Sequence, residues 1–231
     1  MKFRDMLHMI GSNIQRLRFM LYIFSPHIYI LWREFDKNSN TLLDVGCGKG
    51  DVVTVIKNLA EESNYPLNCY KIGLDLFRPS LENAKRRRIY DELILADARY
   101  PPFKSMSIDI VLAFDLIEHL NKSEGKSLVK SLENIACRQV IIFTPVGFLP
   151  QQCFEGNPYQ EHKSGYSPKD FKGYYVRGIR GIGFITRAGH FYWTKSILGM
   201  ISLALGLLTQ PIAYLIPKIS FQMICIKKLK G

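Results

Sequence analysis

Residues 41–51 read TLLDVGCGKGD, a short apolar run that ends in an acid and continues into a glycine-rich loop. The glycines are Gly46, Gly48 and Gly50. Glycine permits a sharp turn and lets a ligand lie against the backbone, so such a loop after a strand usually holds a nucleotide. Asp51 stands where the dinucleotide fingerprint G-x-G-x-x-G requires its third glycine, and no GK[ST] P-loop is present. Asp44, if it points into the site, would repel a pyrophosphate and suit a cationic ligand.

Three later apolar runs also end in acids. IGLDL contains Asp75, LADARYPPF contains Asp97, and LAFDLIEHL contains Phe114 followed by Asp115. Together with the glycine loop, these segments resemble the motifs of the class I S-adenosylmethionine-dependent methyltransferases, in particular the methyltransferase type 11, or ubiquinone-biosynthesis-like, branch. The resemblance extends over roughly residues 40–183 and the last predicted strand.

The resemblance implies S-adenosylmethionine as the methyl donor, whose ammonium and sulfonium suit an acid and a glycine backbone. It also implies that Asp75 accepts both ribose hydroxyls, as a two-oxygen carboxylate can, and that Asp97 accepts the adenine amine. Other roles stay open, because acids at strand ends also cap helices or stabilise turns. The residues that the resemblance assigns to the donor are Asp44, Gly46, Cys47, Gly48, Gly50, Asp75, Leu76, Asp97, Ala98, Phe114 and Asp115.

Glu118 and His119 follow the fourth predicted strand and are the candidate catalytic residues. Methyl transfer is an in-line displacement at an activated sulfonium, so positioning can supply much of the acceleration. A base is needed only when the acceptor must lose a proton, and His119 is suited to that role because histidine titrates near pH ~6.5. The alternative is that His119 only packs against the turn or caps it.

The connection after the fifth predicted strand, TPVGFLPQQCFEGNPYQEHKSGYSP, is long, polar and aromatic. Enzymes of the family that this chain resembles usually build the acceptor pocket there. We expect Tyr159, His162 and Tyr166 to contact the acceptor, although aromatic residues in a loop can also serve only to hold the loop in place.

The series D-x-x-E-H, with His162 further along, resembles the carboxylate–histidine metal site of some small-RNA 2′-O-methyltransferases and some ubiquinone O-methyltransferases. We predict no metal in this chain, and keep a divalent ion as the alternative because it would polarise an acceptor hydroxyl. The ligands in that alternative are Asp115, Glu118, His119 and His162.

Apolar runs and helical patterns alternate through the middle of the chain. Near-continuous apolar runs such as TLLDVG, CYKIGLDL and RQVIIFTP predict parallel strands covered on both faces. We therefore predict an α/β, Rossmann-like class I methyltransferase fold with a seven-stranded, mostly parallel sheet and helices on both faces. The last strand is predicted to be antiparallel and to follow an apolar helical insertion. Residues 168–173 predict a short helix, and YYVRGIRGIGF predicts a strand weakened by its glycines.

Two segments lie outside this regular pattern. Residues 1–40 are predicted to form an N-terminal amphipathic helical segment, with helical spacing over 5–23. Residues 41–231 form the predicted methyltransferase domain, with an apolar insertion at 190–218. Within that insertion, 196–217 carries no formal charge and is long enough to span a bilayer by length alone. Because the family places the last two strands in one sheet, we expect this segment to pack on the domain, to enter a membrane from one side and return, or to form a dimer interface.

The chain has 231 residues and a formal charge of +11, which is concentrated near its end. Residues 163–231 contain eleven Lys or Arg and one acid. Basic charge around an apolar insertion is typical of a monotopic anchor on anionic lipid.

The five cysteines are widely spaced without a CxxC pair, which argues against a disulfide framework or a structural zinc site. We predict a cytoplasmic protein, with a peripheral or monotopic position at the inner face of the membrane as the finer version.

We predict S-adenosylmethionine-dependent methyl transfer to a small-molecule or lipid-linked acceptor. The expected partners are that acceptor and an anionic membrane surface, reached through 196–217 and its flanking Lys and Arg. Nucleic acid is the second choice, because the charge permits it but no nucleic-acid module is visible. The alternatives are an RNA 2′-O-methyltransferase-like enzyme with a divalent metal, and a non-catalytic subunit that binds S-adenosylmethionine. The acceptor atom and the oligomeric state stay open.

Overall fold

The computed structural model describes residues 26–65, 67–153, 156–183 and 197–229, and these contain a seven-stranded sheet with the order β3-β2-β1-β4-β5-β7-β6. Strands β1 to β5 pair in parallel, and β7 is antiparallel to both of its neighbours, β5 and β6. The strands are β1 Thr41–Val45, β2 Tyr70–Asp75, β3 Glu92–Leu95, β4 Ile108–Phe114, β5 Ala136–Pro145, β6 Tyr175–Ile182 and β7 Ser220–Lys228. The strand order reverses between β1 and β4, so a ligand crevice is expected beyond the carboxyl ends of these strands.

Five α-helices occur among the described residues, and local sequence explains where several of them begin. Helix α4 begins with a capping box, in which Asn121 and Glu124 each bond the other's backbone N–H. Helix α3 has Pro79 in its first turn, where the missing N–H costs nothing. The helices are α1 Pro26–Glu34, α2 Asp51–Glu62, α3 Arg78–Arg87, α4 Lys122–Ile135 and α5 Ile197–Leu215.

The sheet separates two hydrophobic clusters. One contains Leu128 and Leu132 of α4 against the sheet, and the other contains Ile56 of α2 together with Leu31 of α1. Alternate residues of the central strands enter one cluster or the other, so these strands are apolar along their whole length. The predicted seven-stranded fold with an antiparallel last strand is confirmed. The short helix predicted over 168–173 is shorter in the structure, where this segment contains only a single 3₁₀ turn at Pro168–Asp170.

The structure describes only part of the predicted N-terminal segment. Residues 5–23, the predicted amphipathic helix, lie outside the described residues. Helix α1 belongs to the described part of 1–40, and its residues Ile30 and Leu31 are buried in the core. This part of the segment therefore packs on the domain.

Helix α5 packs on β6, and glycines on the strand make the contact possible. A Cβ added to Gly178 would lie 2.1 Å from the carbonyl oxygen of Ala213, and one added to Gly181 would lie 2.2 Å from that of Gly206. Only glycine allows two backbones to approach this closely. The glycines that weaken β6 as an isolated strand are therefore the contact surface for the apolar helix.

The predicted insertion at 190–218 is described from residue 197 onward. Among the described residues, no helix combines the length and the hydropathy required to cross a membrane. The helix runs antiparallel to β6, because Thr209 bonds Ile182 at one end of the strand and Tyr214 contacts Tyr175 at the other. Residues 197–205 consequently extend about 13 Å past the carboxyl edge of the sheet, at 1.5 Å per residue.

Candidate active site

The glycine loop follows β1 directly, and its three glycines all have positive φ angles, of 73°, 53° and 85° for Gly46, Gly48 and Gly50. A Cβ on Gly46 would lie 2.8 Å from Leu116, and one on Gly50 would lie 2.6 Å from Ile89. At Gly48 a Cβ would meet nothing within 4 Å. The backbone conformation favours glycine at all three positions, and a Cβ at the outer two would also crowd the ends of the Leu116 and Ile89 side chains. The middle glycine leaves open space that a ligand can use.

Asp75 at the end of β2 holds the loop from the opposite side. Its carboxylate accepts hydrogen bonds from the backbone N–H of Gly48 at 2.8 Å and of Phe77 at 2.8 Å. The helix cap at this end is Phe77, so the predicted alternative that Asp75 caps α3 is wrong. The side chain lines a cleft at the carboxyl edge of the sheet, with oxygen lone pairs left to accept further hydrogen bonds.

Asp44 lies under the loop and does not point into the open cleft as the sequence suggested. It is 1% exposed, and the Tyr90 hydroxyl donates to its Oδ2 at 2.6 Å. Burial raises the pKa of Asp44 to about 7, with Tyr90 acting in the opposite direction and the charge of Asp75 adding to the rise. Cys47 is also buried, and burial raises the pKa of its thiol well above the ordinary range. Any contact of Cys47 with a ligand would therefore be made by its backbone.

The cleft brings together most of the residues predicted for the donor. Gly46, Asp75, Leu76, Asp97, Ala98 and Asp115 all line it. The candidate residues His119 and Tyr159 line the same cleft. Several further lining residues were not predicted: Leu74, Arg99, Leu116, Leu120, Glu124, Asn157, Gln160 and Lys163.

Arg99 is the most strongly engaged of the residues that the sequence interpretation missed. Its guanidinium donates to Asp97 from Nε at 3.1 and 3.0 Å and from Nη2 at 2.6 Å, and Nη1 donates to Glu124 at 2.8 Å. These bonds, with one from the Arg99 backbone N–H, lower the pKa of Asp97 below its ordinary value. Asp97 therefore does stabilise a turn, and it also presents an ionised carboxylate to the cleft. An arginine two residues after the acid was the available signal.

Asp115, directly after β4, adopts a backbone conformation that is rare for a residue with a side chain. Its φ is 44°, and Phe114 before it stacks on Phe143 with ring centroids 5.5 Å apart. Gln222 of β7 donates from Nε2 to Asp115 Oδ1 at 3.3 Å. The residue is exposed to the cleft, but protein atoms crowd its carboxyl and raise its pKa to about 6, against the opposing charge of Arg180.

Glu118, His119 and His162 form a buried cluster whose potential ligand atoms lie within 4.8 Å of one another. The two imidazole rings meet edge to face, with centroids 4.8 Å apart. Thr144 donates to Glu118 Oε2 at 3.0 Å, and Glu118 Oε1 is buried with no hydrogen-bond partner. Burial raises the pKa of Glu118 well above its ordinary value and lowers that of His119. Asp115 is not part of this cluster.

A divalent cation fits the donor set of this cluster. Nδ1 of His119 lies 3.1 Å from the carbonyl oxygen of Glu161, and Nδ1 of His162 lies 2.7 Å from that of Leu149. A carbonyl accepts, so both Nδ1 atoms carry the hydrogen and both Nε2 atoms keep a lone pair, as metal-binding histidines require. A cation would also give the orphaned Oε1 of Glu118 a partner.

The three predicted acceptor residues have different environments. Tyr159 is 49% exposed and lines the cleft, whereas His162 is buried in the cluster beside His119. The expectation for Tyr166 is wrong: it is 2% exposed, and its hydroxyl donates to the carbonyl of Ile117 at 3.3 Å. Tyr166 therefore supports the turn that carries Glu118 and cannot reach an acceptor in the cleft.

The segment that contains the glycine loop and most of the cleft matches a known protein family. Residues 43–139 match the family model described as a methyltransferase domain. That segment is therefore a methyltransferase domain. S-adenosylmethionine is accordingly the cofactor of this domain, and the cleft at the carboxyl ends of β1, β2 and β4 is the candidate site for it.

Similar proteins extend the fold assignment beyond the matched segment. An S-adenosylmethionine-dependent methyltransferase of Archaeoglobus fulgidus is 15% identical, with a TM-score of 0.53 and coverage of 99% of this chain and 100% of that chain. The magnesium protoporphyrin IX methyltransferase of Synechocystis PCC 6803, solved with S-adenosylhomocysteine, is 14% identical, with a TM-score of 0.50 and coverage of 98% and 93%. An uncharacterized protein of Methanocaldococcus jannaschii is 27% identical over 147 residues, which are 63% of this chain and 59% of that protein.

Proposed function

We propose that the protein transfers the methyl group of S-adenosylmethionine to a small-molecule or lipid-linked acceptor at the surface of a membrane. The methyltransferase domain supplies the donor site. The choice of acceptor rests on an exposed apolar face of α5. The first turns of this helix extend past the carboxyl edge of the sheet, where the cleft opens. For methyl transfer, the cleft must hold the donor's sulfonium in line with an acceptor atom. The protein need not form a covalent intermediate.

The apolar face of α5 consists of large side chains that recur every three or four residues and point away from β6. Leu208 is 75% exposed and Leu215 is 74% exposed, which is unusual for leucine on a helix packed against its own domain. Among the described side chains of α5, this face contains Ile201, Leu205, Leu208, Ile212 and Leu215. Such a stripe on one side of a helix suits insertion into the interfacial layer of a bilayer, with the helix lying in the plane.

Two further facts favour a lipid surface over a second copy of the chain as the occupant of this face. Residues 163–231 carry eleven basic residues and one acid, which attracts anionic lipid and repels another copy. The first turns of α5 extend past the same edge of the sheet at which the donor cleft opens, so an acceptor with an apolar tail would reach the cleft from the membrane.

Flotation with vesicles tests the membrane part of the proposal. The protein is expected to float with phosphatidylglycerol-containing vesicles, more weakly with phosphatidylcholine vesicles, and not at all after Leu208→Glu with Leu215→Glu. Met106→Glu, which places the same charge on an exposed apolar residue elsewhere, is the control and should float like the parent. If the parent stays with the soluble fraction and the double variant halves its mass in light scattering, the face is a dimer interface and the membrane part is wrong.

The second candidate function is metal-assisted transfer to a hydroxyl, as in RNA 2′-O-methylation. The buried cluster of Glu118, His119 and His162 favours it, because a divalent ion held there would polarise an acceptor hydroxyl as a Lewis acid. Calorimetric titration with Mn²⁺ tests the site without any acceptor. Heat that disappears in Glu118→Gln and persists in the exposed control Glu82→Gln would support the metal, and the absence of heat in the parent would end this candidate.

A further inference from the structure

Strand β6 contains an irregularity next to the site, at Arg180 and Gly181. Both residues have positive φ angles, of 62° and 68°, and the register with β7 shifts between Ile179 and Ile182. A positive φ is unfavourable for arginine, so such a conformation persists only when the surroundings fix it. Bulges of this type redirect a side chain and are common beside active sites.

Helix α5 fixes the irregularity with two adjacent polar side chains. Gln210 Oε1 accepts from the backbone N–H of Gly181 at 2.9 Å, and Thr209 Oγ1 accepts from that of Ile182 at 3.1 Å. Gln210 also donates to the carbonyl of Gly178 at 3.0 Å. These bonds satisfy backbone groups that the bulge removes from the strand ladder. They explain why two polar residues interrupt an otherwise apolar helix.

The redirected Arg180 side chain is exposed, and it lies near the cleft because Asp115, with which it interacts, lines that cleft. Its charge interacts with that of Asp115, yet it forms no hydrogen bond or ion pair with any described residue. By contrast, Arg177 of the same strand lies over the ring of Tyr175, with its guanidinium carbon 3.9 Å from the centroid. An arginine held by a strained backbone and left without partners suits the recognition of an anionic oxygen group.

Gln222 supplies a second unsatisfied group beside Arg180. It pairs with Ile179 across the ladder, one residue before the bulge, and its Nε2 reaches Asp115. Its Oε1 is buried without a hydrogen-bond partner, and the residue is only 6% exposed. A buried carbonyl oxygen that lacks a donor is unfavourable unless a ligand supplies one.

We propose that Arg180 and Gln222 form a subsite for the methyl acceptor that binds an oxyanion, a carboxylate or phosphate, with a hydroxyl beside it. The guanidinium donates to the anionic oxygens, and Gln222 Oε1 accepts from the hydroxyl. This inference rests on the proposed function, because it assigns the subsite to the acceptor and not to the donor. Asp115 is expected to face the cationic methionine part of the donor, which leaves the charge of Arg180 for the acceptor. Leu205 and Leu208 of the apolar face flank Gly206, which contacts Gly181 beside this subsite, so the fitting acceptor is an amphiphile with an anionic headgroup.

The test measures binding of amphiphile probes to the full chain saturated with S-adenosylhomocysteine. Decyl phosphate, decanoate, uncharged decyl maltoside and inorganic phosphate are each titrated by calorimetry below their micelle concentrations. Arg180→Gln should weaken decyl phosphate or decanoate by about tenfold or more, as expected for the loss of a charge-assisted bond, and leave decyl maltoside unchanged. Arg180→Lys should weaken them less. Arg86→Gln removes one exposed charge far from this helix and should bind like the parent.

Each contrary result has a definite meaning. Equal binding of the anionic probes by the parent and Arg180→Gln would overturn the subsite. Loss of S-adenosylmethionine affinity in Arg180→Gln would overturn it as well, because the guanidinium would then hold the donor's own carboxylate. Inorganic phosphate binding as tightly as decyl phosphate would point to a free anion and not to a headgroup. Probe binding does not require turnover, so a protein that transfers no methyl group but binds these probes through Arg180 would refute the proposed function and leave the subsite intact.

Discussion

Replacing Asp44 by asparagine should change how stability depends on pH, because the structure buries this carboxyl beside the Tyr90 hydroxyl and near the charge of Asp75. Asparagine keeps the size of the side chain and an oxygen that can accept from the Tyr90 hydroxyl. The variant removes only the ability to ionise. The buried acid of the parent must either keep its proton or place a charge under the glycine loop.

The size of the effect follows from the shift in pKa. The pKa of Asp44 rises from 3.8 to about 7 on folding, and one pKa unit corresponds to about 1.36 kcal/mol, so the ionised form costs about 4 kcal/mol at pH 8. The folded state binds the proton more tightly than the unfolded state, so stability falls as the pH rises from about 4 to about 7. Between pH 5.5 and 8.0 the parent should lose about 2 kcal/mol more than Asp44→Asn.

Urea unfolding followed by circular dichroism at the two pH values, at constant ionic strength, measures this difference. Other titrating groups act equally in both proteins, and any constant cost of the buried amide cancels. Tyr90→Phe should steepen the dependence, because it removes the bond that favours the ionised acid. Parallel pH profiles of the parent and Asp44→Asn would show that Asp44 titrates with an ordinary pKa and would refute the reasoning.

Two further predictions concern packing around the site. Gly181→Ala should lower the free energy of unfolding by about 2 to 4 kcal/mol in urea, because its φ is positive and the new methyl would meet the carbonyl of Gly206 at 2.2 Å. The control Gly173→Ala, at φ 81° with open space around it, should lower it by about 1 kcal/mol. Equal losses in the two variants would contradict the close contact of helix and strand. Tyr166→Phe should lower the free energy of unfolding by about 1 kcal/mol, because it removes the hydrogen bond to Ile117. The dissociation constant of S-adenosylmethionine, measured by calorimetry, should stay the same. A changed constant would show that Tyr166 does contribute to the ligand site.

The sheet and the cleft at its carboxyl edge could be predicted because their signals are local. Parallel strands buried on both faces are apolar throughout, so each strand is visible by itself. The carboxyl ends of such strands share one edge, and this is why Asp75, Asp97 and Asp115 line one cleft although up to 40 residues separate them in sequence. The glycine loop could also be predicted from the sequence, because its backbone conformation favours glycine.

The remaining features depend on contacts between distant segments. Asp44 is held away from the cleft by Tyr90, which lies 46 residues later in the sequence. The local sequence, an acid before a glycine loop, does not reveal whether such a partner exists. Tyr166 resembles any aromatic residue of an exposed loop until its bond to Ile117 is seen. The role of Arg180 depends on a bulge that α5 stabilises across the sheet edge, and a sequence pattern carries no signal for it.

The most direct test of the central claim is transfer of labelled methyl from S-adenosylmethionine into fractions of the source cell. We expect label in the lipid or small-molecule fraction, and a strong loss of it in Asp75→Ala, which removes a carboxylate from the candidate donor cleft. Met106→Glu should retain the activity, because Met106 is exposed and does not line that cleft. Label found only in RNA would contradict the proposed acceptor class, and binding of S-adenosylmethionine without label in any fraction would contradict methyl transfer itself.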